Sequence, residues 1–222
     1  MSWDETWEHV FSSRDWGRYP PEELVRFVGR NYFGVPDRPG VKMLEIGCGT
    51  GANLWFIARE GFDAYGIDGS PTAITKAKTR MAEEGLRASL QIGDVNDLDT
   101  FYERSSFDAI IDAACLWCNR LGEVKVILSK VLNILQPKGR IFSMLLGAGS
   151  YGDGLGEEVE KGTFRNIKEG PLCGTGLNHF FTLEEVKNVF SGFSDLQIEY
   201  SLRSLNNQSH IFKLWVVQGV KG

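Results

Sequence analysis

From residue 41 onward, short apolar runs alternate with stretches in which apolar residues recur every three or four positions. Short runs bounded by glycine and acids read as buried strands, and three-to-four spacing reads as helices that bury one face. The strand-like runs are Val41–Ile46, Asp63–Ile67, Arg87–Ile92, Phe107–Asp112 and Arg140–Leu146. Helical spacing fills Gly51–Glu60, Ser70–Glu84 and Leu121–Leu135. Ser70 stands where it can cap its helix with Pro71 in the first turn, and Pro137 with Gly139 stops the last one. Five strand–helix steps in order predict a doubly wound, mostly parallel sheet covered on both faces, a Rossmann-like α/β domain in three αβα layers.

The flanks follow other rhythms. Residues 1–40 carry spaced aromatics (Trp3, Trp7, Phe11, Trp16, Tyr19), then a helix from about Pro21 to Tyr32 announced by proline and two acids. Gly147–Gly176 holds nine glycines in thirty residues with little periodicity. A long stretch without regular structure in a compact domain is generally functional, and its acids (Asp153, Glu157, Glu158, Glu160) suit a mobile lid, with an ordinary flexible crossing as the alternative. Thr182-Leu-Glu-Glu has the form of a capping box opening a helix to about Phe190. Two closing strands, Leu196–Leu202 and Ser209–Val217, turn at Asn206-Asn207 and are expected to pair antiparallel. The expected organisation is one domain over 1–222: a cofactor-covering segment (1–40), a cofactor-binding core (41–146), a glycine-rich lid insertion (147–181) and a C-terminal helix with a strand pair (182–222).

Composition narrows the function. The chain has 222 residues with 24 basic and 29 acidic side chains, a formal net charge of -5, and 42% hydrophobic residues. Such a balance supports a packed core and excludes a disordered, collagenous or coiled-coil chain. The negative charge disfavours a broad grip on nucleic acid. No apolar run reaches the roughly 20 residues of a membrane helix and no secretory leader is visible, so a cytoplasmic protein is expected. Cys115 and Cys118 have C-x-x-C spacing, but no second pair accompanies them; with Cys48 and Cys173 they read as reduced thiols, and no metal is expected. Glycine is in surplus, at 26 residues.

The densest chemistry lies where the first strand meets its helix, Leu44-Glu45-Ile46-Gly47-Cys48-Gly49-Thr50-Gly51-Ala52-Asn53. Glycines here let the backbone turn sharply and let a ligand approach the main chain at a helix N-terminus. Taken alone, Gly47-x-Gly49-x-x-Ala52 also fits a dinucleotide fingerprint. Three acids decide otherwise. Glu45 sits where a carboxylate binds an ammonium but repels a pyrophosphate. Asp68, seventeen residues after Gly51, ends the second strand in position to accept from ribose hydroxyls, and Asp94 follows the third, placed to accept from the exocyclic amine of adenine. An amine, a ribose and an adenine without phosphate describe one ligand.

With these residues in order, the chain resembles the class I S-adenosylmethionine-dependent methyltransferases, in their small-molecule branch. The resemblance covers about Val41–Gly147 and rests on LEIGCGTG at 44–51, the acid of YGID at Asp68, GDV at 93–95, FDAIID at 107–112 and LQPKGRIF at 135–142. It implies S-adenosyl-L-methionine as cofactor and a seven-stranded sheet with its last strand antiparallel. It further implies that Gly47, Gly49 and Gly51 face the methionine part, Asp68 the ribose, and Asp94 with Val95 the adenine. Cys48, Asn53, Gly69 and Ser70 complete that expected cofactor set. Trp16-Gly17-Arg18-Tyr19-Pro20 looks like the cofactor-covering lead-in, with Trp16 and Tyr19 on the cofactor. Asp112 stands at the family position lining the methyl-transfer channel, and equally well at a helix cap.

Methyl transfer from a sulfonium is an in-line displacement, so the protein chiefly aligns the groups and excludes water; a base is needed only for an acceptor that keeps its proton. The motif [DN]-P-P-[YF] of amide and exocyclic-amine methylation is replaced by Asp112-Ala113-Ala114-Cys115, and no cysteine follows a proline as in cytosine C5 enzymes. The expected reaction is therefore methylation of oxygen or nitrogen on a small molecule. Methylation of protein or RNA, and S-adenosylmethionine binding without catalysis, are the alternatives. Arg18, Trp117, His179 and Phe180 are the expected acceptor-binding residues. His179 is the candidate general base, since imidazole titrates near neutrality; as the alternative, it merely hydrogen-bonds the start of the following helix. His9 and His210 are read as structural or surface residues.

Overall fold

The computed structural model describes residues 3–14 and 16–222. In chain order the elements are α1 (Thr6–Ser13), α2 (Glu22–Tyr32), β1 (Lys42–Ile46), α3 (Ala52–Arg59), β2 (Asp63–Asp68), α4 (Pro71–Glu83), β3 (Ser89–Ile92), α5 (Leu98–Phe101), β4 (Phe107–Ala113), α6 (Leu121–Ile134), β5 (Leu135–Leu146), β6 (Glu157–Glu160), β7 (Thr163–Arg165), β8 (Asn178–His179), α7 (Leu183–Val189), β9 (Ser194–Leu205) and β10 (His210–Val220). Seven strands form one sheet in the order β3-β2-β1-β4-β5-β10-β9. The contacts among β1 to β5 are parallel, whereas β10 runs antiparallel to both β5 and β9. The expected doubly wound sheet with one reversed strand is present.

Alternation along the strands divides the core between two faces. Leu44 and Ile46 of β1 join Ile141 and Leu145 of β5 beneath α6 and α7, while Met43, Phe142 and Met144 pack on the other face with α2, α3 and α4. The order of strands reverses between β1 and β4. At such a switch point the loops beyond the strand ends diverge and leave a crevice, which is where an open α/β sheet receives its ligand.

Local signals at the helix starts hold. The Ser70 hydroxyl accepts from Ala73 N–H with Pro71 following, and Thr182 and Glu185 form the reciprocal capping box of α7. Two regions differ from expectation. Trp7, Val10 and Phe11 belong to a helix, α1, that eight residues of mixed polarity did not announce. The glycine-rich insertion is not structureless: β6, β7 and β8 make a second, three-stranded antiparallel sheet. It packs Phe164, Ile167, Leu172 and Phe180 into the main core. Its glycines serve the turns, Gly149, Gly152, Gly154, Gly162, Gly170 and Gly174 all having positive φ. The insertion is thus a built wall, anchored where Ala148 N–H donates to Phe181 and Tyr151 N–H to Ile211. No helix among the described residues is long and apolar enough to cross a membrane.

Candidate active site

The crevice at the switch point closes into a cavity. Its floor is the turn after β1 (Glu45, Gly47, Cys48, Gly49), the residues after β2 and β3 (Asp68, Gly69, Gly93, Val95) and the loop after β4 (Ala113, Ala114, Cys115, Cys118, Asn119); its roof is Trp3, Asp4, Trp7, Phe11 and Trp16. The motifs had marked Glu45, Gly47, Cys48, Gly49, Asp68, Gly69 and Val95 of this floor, but not Cys115, Cys118 or Asn119.

The turn is shaped by φ values of +63° at Gly47 and +50° at Gly49, where a side chain is strained whatever the space. A Cβ at Gly47 would also meet Cys115 at 2.5 Å, and one at Gly49 would meet the Phe11 ring at 3.3 Å. The main chain therefore forms part of the cavity wall. Asp68 braces this turn: Oδ2 accepts from Gly49 N–H and Oδ1 from Ser70 N–H, each at 2.8 Å. Burial raises its pKa against these two bonds. Two N–H donors occupy only part of a carboxylate's four lone-pair sites, so hydroxyl donors in the cavity still find acceptors there.

Glu45 is 2% exposed. Asn53 donates to its Oε1 at 2.6 Å, while Oε2 is buried without a hydrogen-bond partner. Burial pushes its pKa up to about 8, with Asp68 and Asp112 adding to the rise. A carboxyl left half-satisfied beside a cavity is a costly arrangement unless a cationic donor meets it. Asp94 accepts from Asn96 N–H at Oδ1 and from Trp3 N–H at Oδ2.

The roof is carried by α1 and its flanks. Trp7, Phe11 and Trp16 contact one another with ring centroids 5.6–5.8 Å apart. Glu8 fastens the helix by accepting from the hydroxyls of Ser70 and Thr72 at the start of α4, and Lys76 donates to the Phe11 carbonyl at 2.7 Å. Asp4 joins the strap to the insertion, accepting from Thr6 N–H and Leu177 N–H at 3.0 Å each. Burial works to raise its pKa, but the bonds from Thr6 and Leu177 prevail and hold it below the usual range.

Several expected site residues lie elsewhere. Asp112 is fully buried and spends both oxygens on structure, Oδ1 accepting from Cys115 and Leu116 N–H and Oδ2 from the Ser143 hydroxyl; of its two readings the cap is the one found. Burial lifts its pKa to about 6. His179 is also fully buried, outside the cavity lining. Its Nδ1 lies 2.6 Å from Thr163 Oγ1, its ring stands edge-on to Phe181, and Nε2 is 3.7 Å from the capping Glu185. Burial lowers its pKa. His179 was expected at the acceptor as a base; here it joins β8 to β7 away from the cavity lining. Trp117 and Phe180, expected on the acceptor, pack in the apolar core. Tyr19 is 73% exposed against Trp55, outside the cavity, and Arg18 sits in a separate surface groove where its carbonyl accepts from Arg80. Ser70 caps α4 and donates to Glu8, and Gly51 lies behind the turn against Ala77. No lysine, arginine or histidine among the described residues lines the cavity.

Known proteins resemble this chain in sequence and fold. Residues 37–150 match the family described as methyltransferase domain. A ubiquinone biosynthesis O-methyltransferase of Azorhizobium caulinodans is 28% identical over 116 residues, 52% of this chain and 44% of that one; a nocamycin O-methyltransferase of Saccharothrix syringae is 31% identical over 124 residues, 54% and 43%. The match thus spans less than half the length of these relatives. Among solved structures, an S-adenosylmethionine-dependent methyltransferase of Methanosarcina mazei superposes with a TM-score of 0.69 at 21% identity, covering 87% of this chain and 96% of that one. A phosphoethanolamine N-methyltransferase of Haemonchus contortus gives 0.69 at 18% identity, covering 97% and 56%.

Proposed function

The chain belongs to the methyltransferase domain family, as a class I S-adenosylmethionine-dependent member, and from that premise we propose that it methylates oxygen or nitrogen of a small-molecule acceptor held beneath the α1 roof. S-adenosylmethionine supplies the methyl group on a sulfonium. The observation that carries the reading is the glycine turn, Glu45 and Asp68 facing one cavity roofed by an aromatic helix.

The residues fit that cofactor. Glu45, with its orphaned Oε2, would take the ammonium. The main chain at Gly47 and Gly49 would flank the methionine part, with Cys48 and Asn53 behind it. Asp68 would accept from the ribose hydroxyls, and Asp94 and Val95 would meet the adenine beside Gly69.

Acceptor chemistry follows from the roof. Trp7, Phe11 and Trp16 offer flat apolar area, and the Asp4 carboxylate and Asn119 line the same cavity. A cavity with carboxylates and no cationic side chain favours neutral or cationic acceptors over phosphates and carboxylates. With no imidazole at the cavity, the acceptor atom is one that reaches the site without its proton, such as a neutral amine. Incubation with labelled S-adenosylmethionine and a metabolite extract, followed by mass spectrometry, tests the reading. A labelled neutral or amine-bearing product supports it; label found only in protein or RNA overturns it.

A further inference from the structure

Trp3 reaches the acid-lined end of the cavity and is fixed there by its main chain, whose N–H donates to Asp94 Oδ2 at 3.0 Å. Its indole lies on Gly69. A Cβ built on that glycine would fall 2.5 Å from Trp3 Cδ2, 2.7 Å from Cγ and 2.8 Å from Cε3, so the ring occupies the volume a side chain at 69 would take. The backbone does not demand glycine there, since Gly69 lies outside the left-handed φ range, and the three nearest obstacles to a side chain are all Trp3 ring atoms. Trp3, Gly69, Gly93 and Val95 line one cavity. The indole forms a wall of that cavity on Gly69, beside Asp68, while Asp94 holds its main chain.

We propose that Trp3 is a cofactor-positioning residue whose indole supplies the stacking face for adenine that position 69, being glycine, cannot supply. The proposal rests on the reading of Asp68 and Asp94 as the ribose and adenine residues. The fused aromatic ring offers a rigid face to a base, at little entropic cost because the main chain is already held by Asp94. It also joins the two ends of the site, because the same strap continues through Asp4 into the acceptor roof at Trp7 and Phe11.

Calorimetry of the full chain with S-adenosylhomocysteine tests this, with thermal midpoints recorded for each variant. Trp3→Ala is expected to weaken binding about 10- to 100-fold, the usual effect of removing an aromatic from a base, while Trp3→Phe loses less. Trp3→Ala with Gly69→Leu is expected to recover part of the loss, since leucine then enters the vacated volume. In the native chain, binding should quench tryptophan emission, and Trp3→Phe should remove part of that quench. Unchanged or tighter binding by Trp3→Ala overturns the proposal, tighter binding meaning that the ring competes with the cofactor. Loss without recovery in the double variant also overturns it. Unchanged binding by Asp68→Ala would instead sink the site reading underneath.

Discussion

Asn53 donates to one oxygen of Glu45 at 2.6 Å while the other is buried without a partner; burial makes the carboxyl resist ionisation, and the Asn53 bond opposes that rise without overcoming it. Its folded pKa, about 8, lies above the unfolded value near 4.5. The folded state therefore binds the extra proton between these values, and the stability Glu45 contributes is present in full below pH about 4.5 and is lost as pH rises through about 8. Without cofactor, the thermal midpoint of the native chain should fall from pH 5 to 8 more steeply than that of Glu45→Gln. Parallel curves would show that Glu45 does not carry the dependence.

Asp68 joins the glycine turn to the start of α4. Asp68→Ala should weaken S-adenosylmethionine binding by about 1–3 kcal/mol, the cost of losing hydrogen bonds to a charged group. Titration calorimetry reads this directly.

Asp112 behaves as a buried cap with three donors. Asp112→Ala should cost about 2–4 kcal/mol of stability through the orphaned N–H groups of Cys115 and Leu116. In urea unfolding the midpoint should move accordingly. An unshifted midpoint would contradict the structural role.

For His179→Ala, loss of the bond to Thr163 inside a sealed core predicts about 1–3 kcal/mol of destabilisation. Its removal should leave the pH dependence of turnover unchanged in shape. A basic limb that disappears in the variant would return His179 to the mechanism.

The sequence and the structure agree where chemistry is local. Gly47, Gly49, Glu45 and Asp68 were readable as one cluster because each lies at a fixed distance from the end of β1 or β2, and the structure brings all four to one cavity. Ser70 and Thr182 were readable because a helix cap is satisfied within three residues. Where partners are distant the reading stopped. Nothing near Asp112 tells whether its carboxylate meets a cavity or Ser143, 31 residues on, and nothing near His179 reveals Thr163 across the small sheet. Of the roof only Trp16 was singled out within the expected covering segment, because Trp3, Asp4, Trp7 and Phe11 take their meaning from Gly69, Leu177 and Gly49, which the chain reaches much later. The strands of the insertion went unread because they are only 4, 3 and 2 residues long, too short to carry a period between turn glycines.

The reversed strand has a consequence for assembly. β5 is completed at Leu146, yet its outer partner β10 begins only at His210, and β9 is held solely through β10. During synthesis the long, apolar edge of β5 stays unpaired while more than sixty residues emerge. Contacts so separated in sequence form slowly, and an open strand edge is a template for pairing with other chains. Variants that weaken the β9–β10 hairpin should therefore reduce the yield of folded protein through aggregation of nascent chains before they alter the equilibrium stability of those that finish.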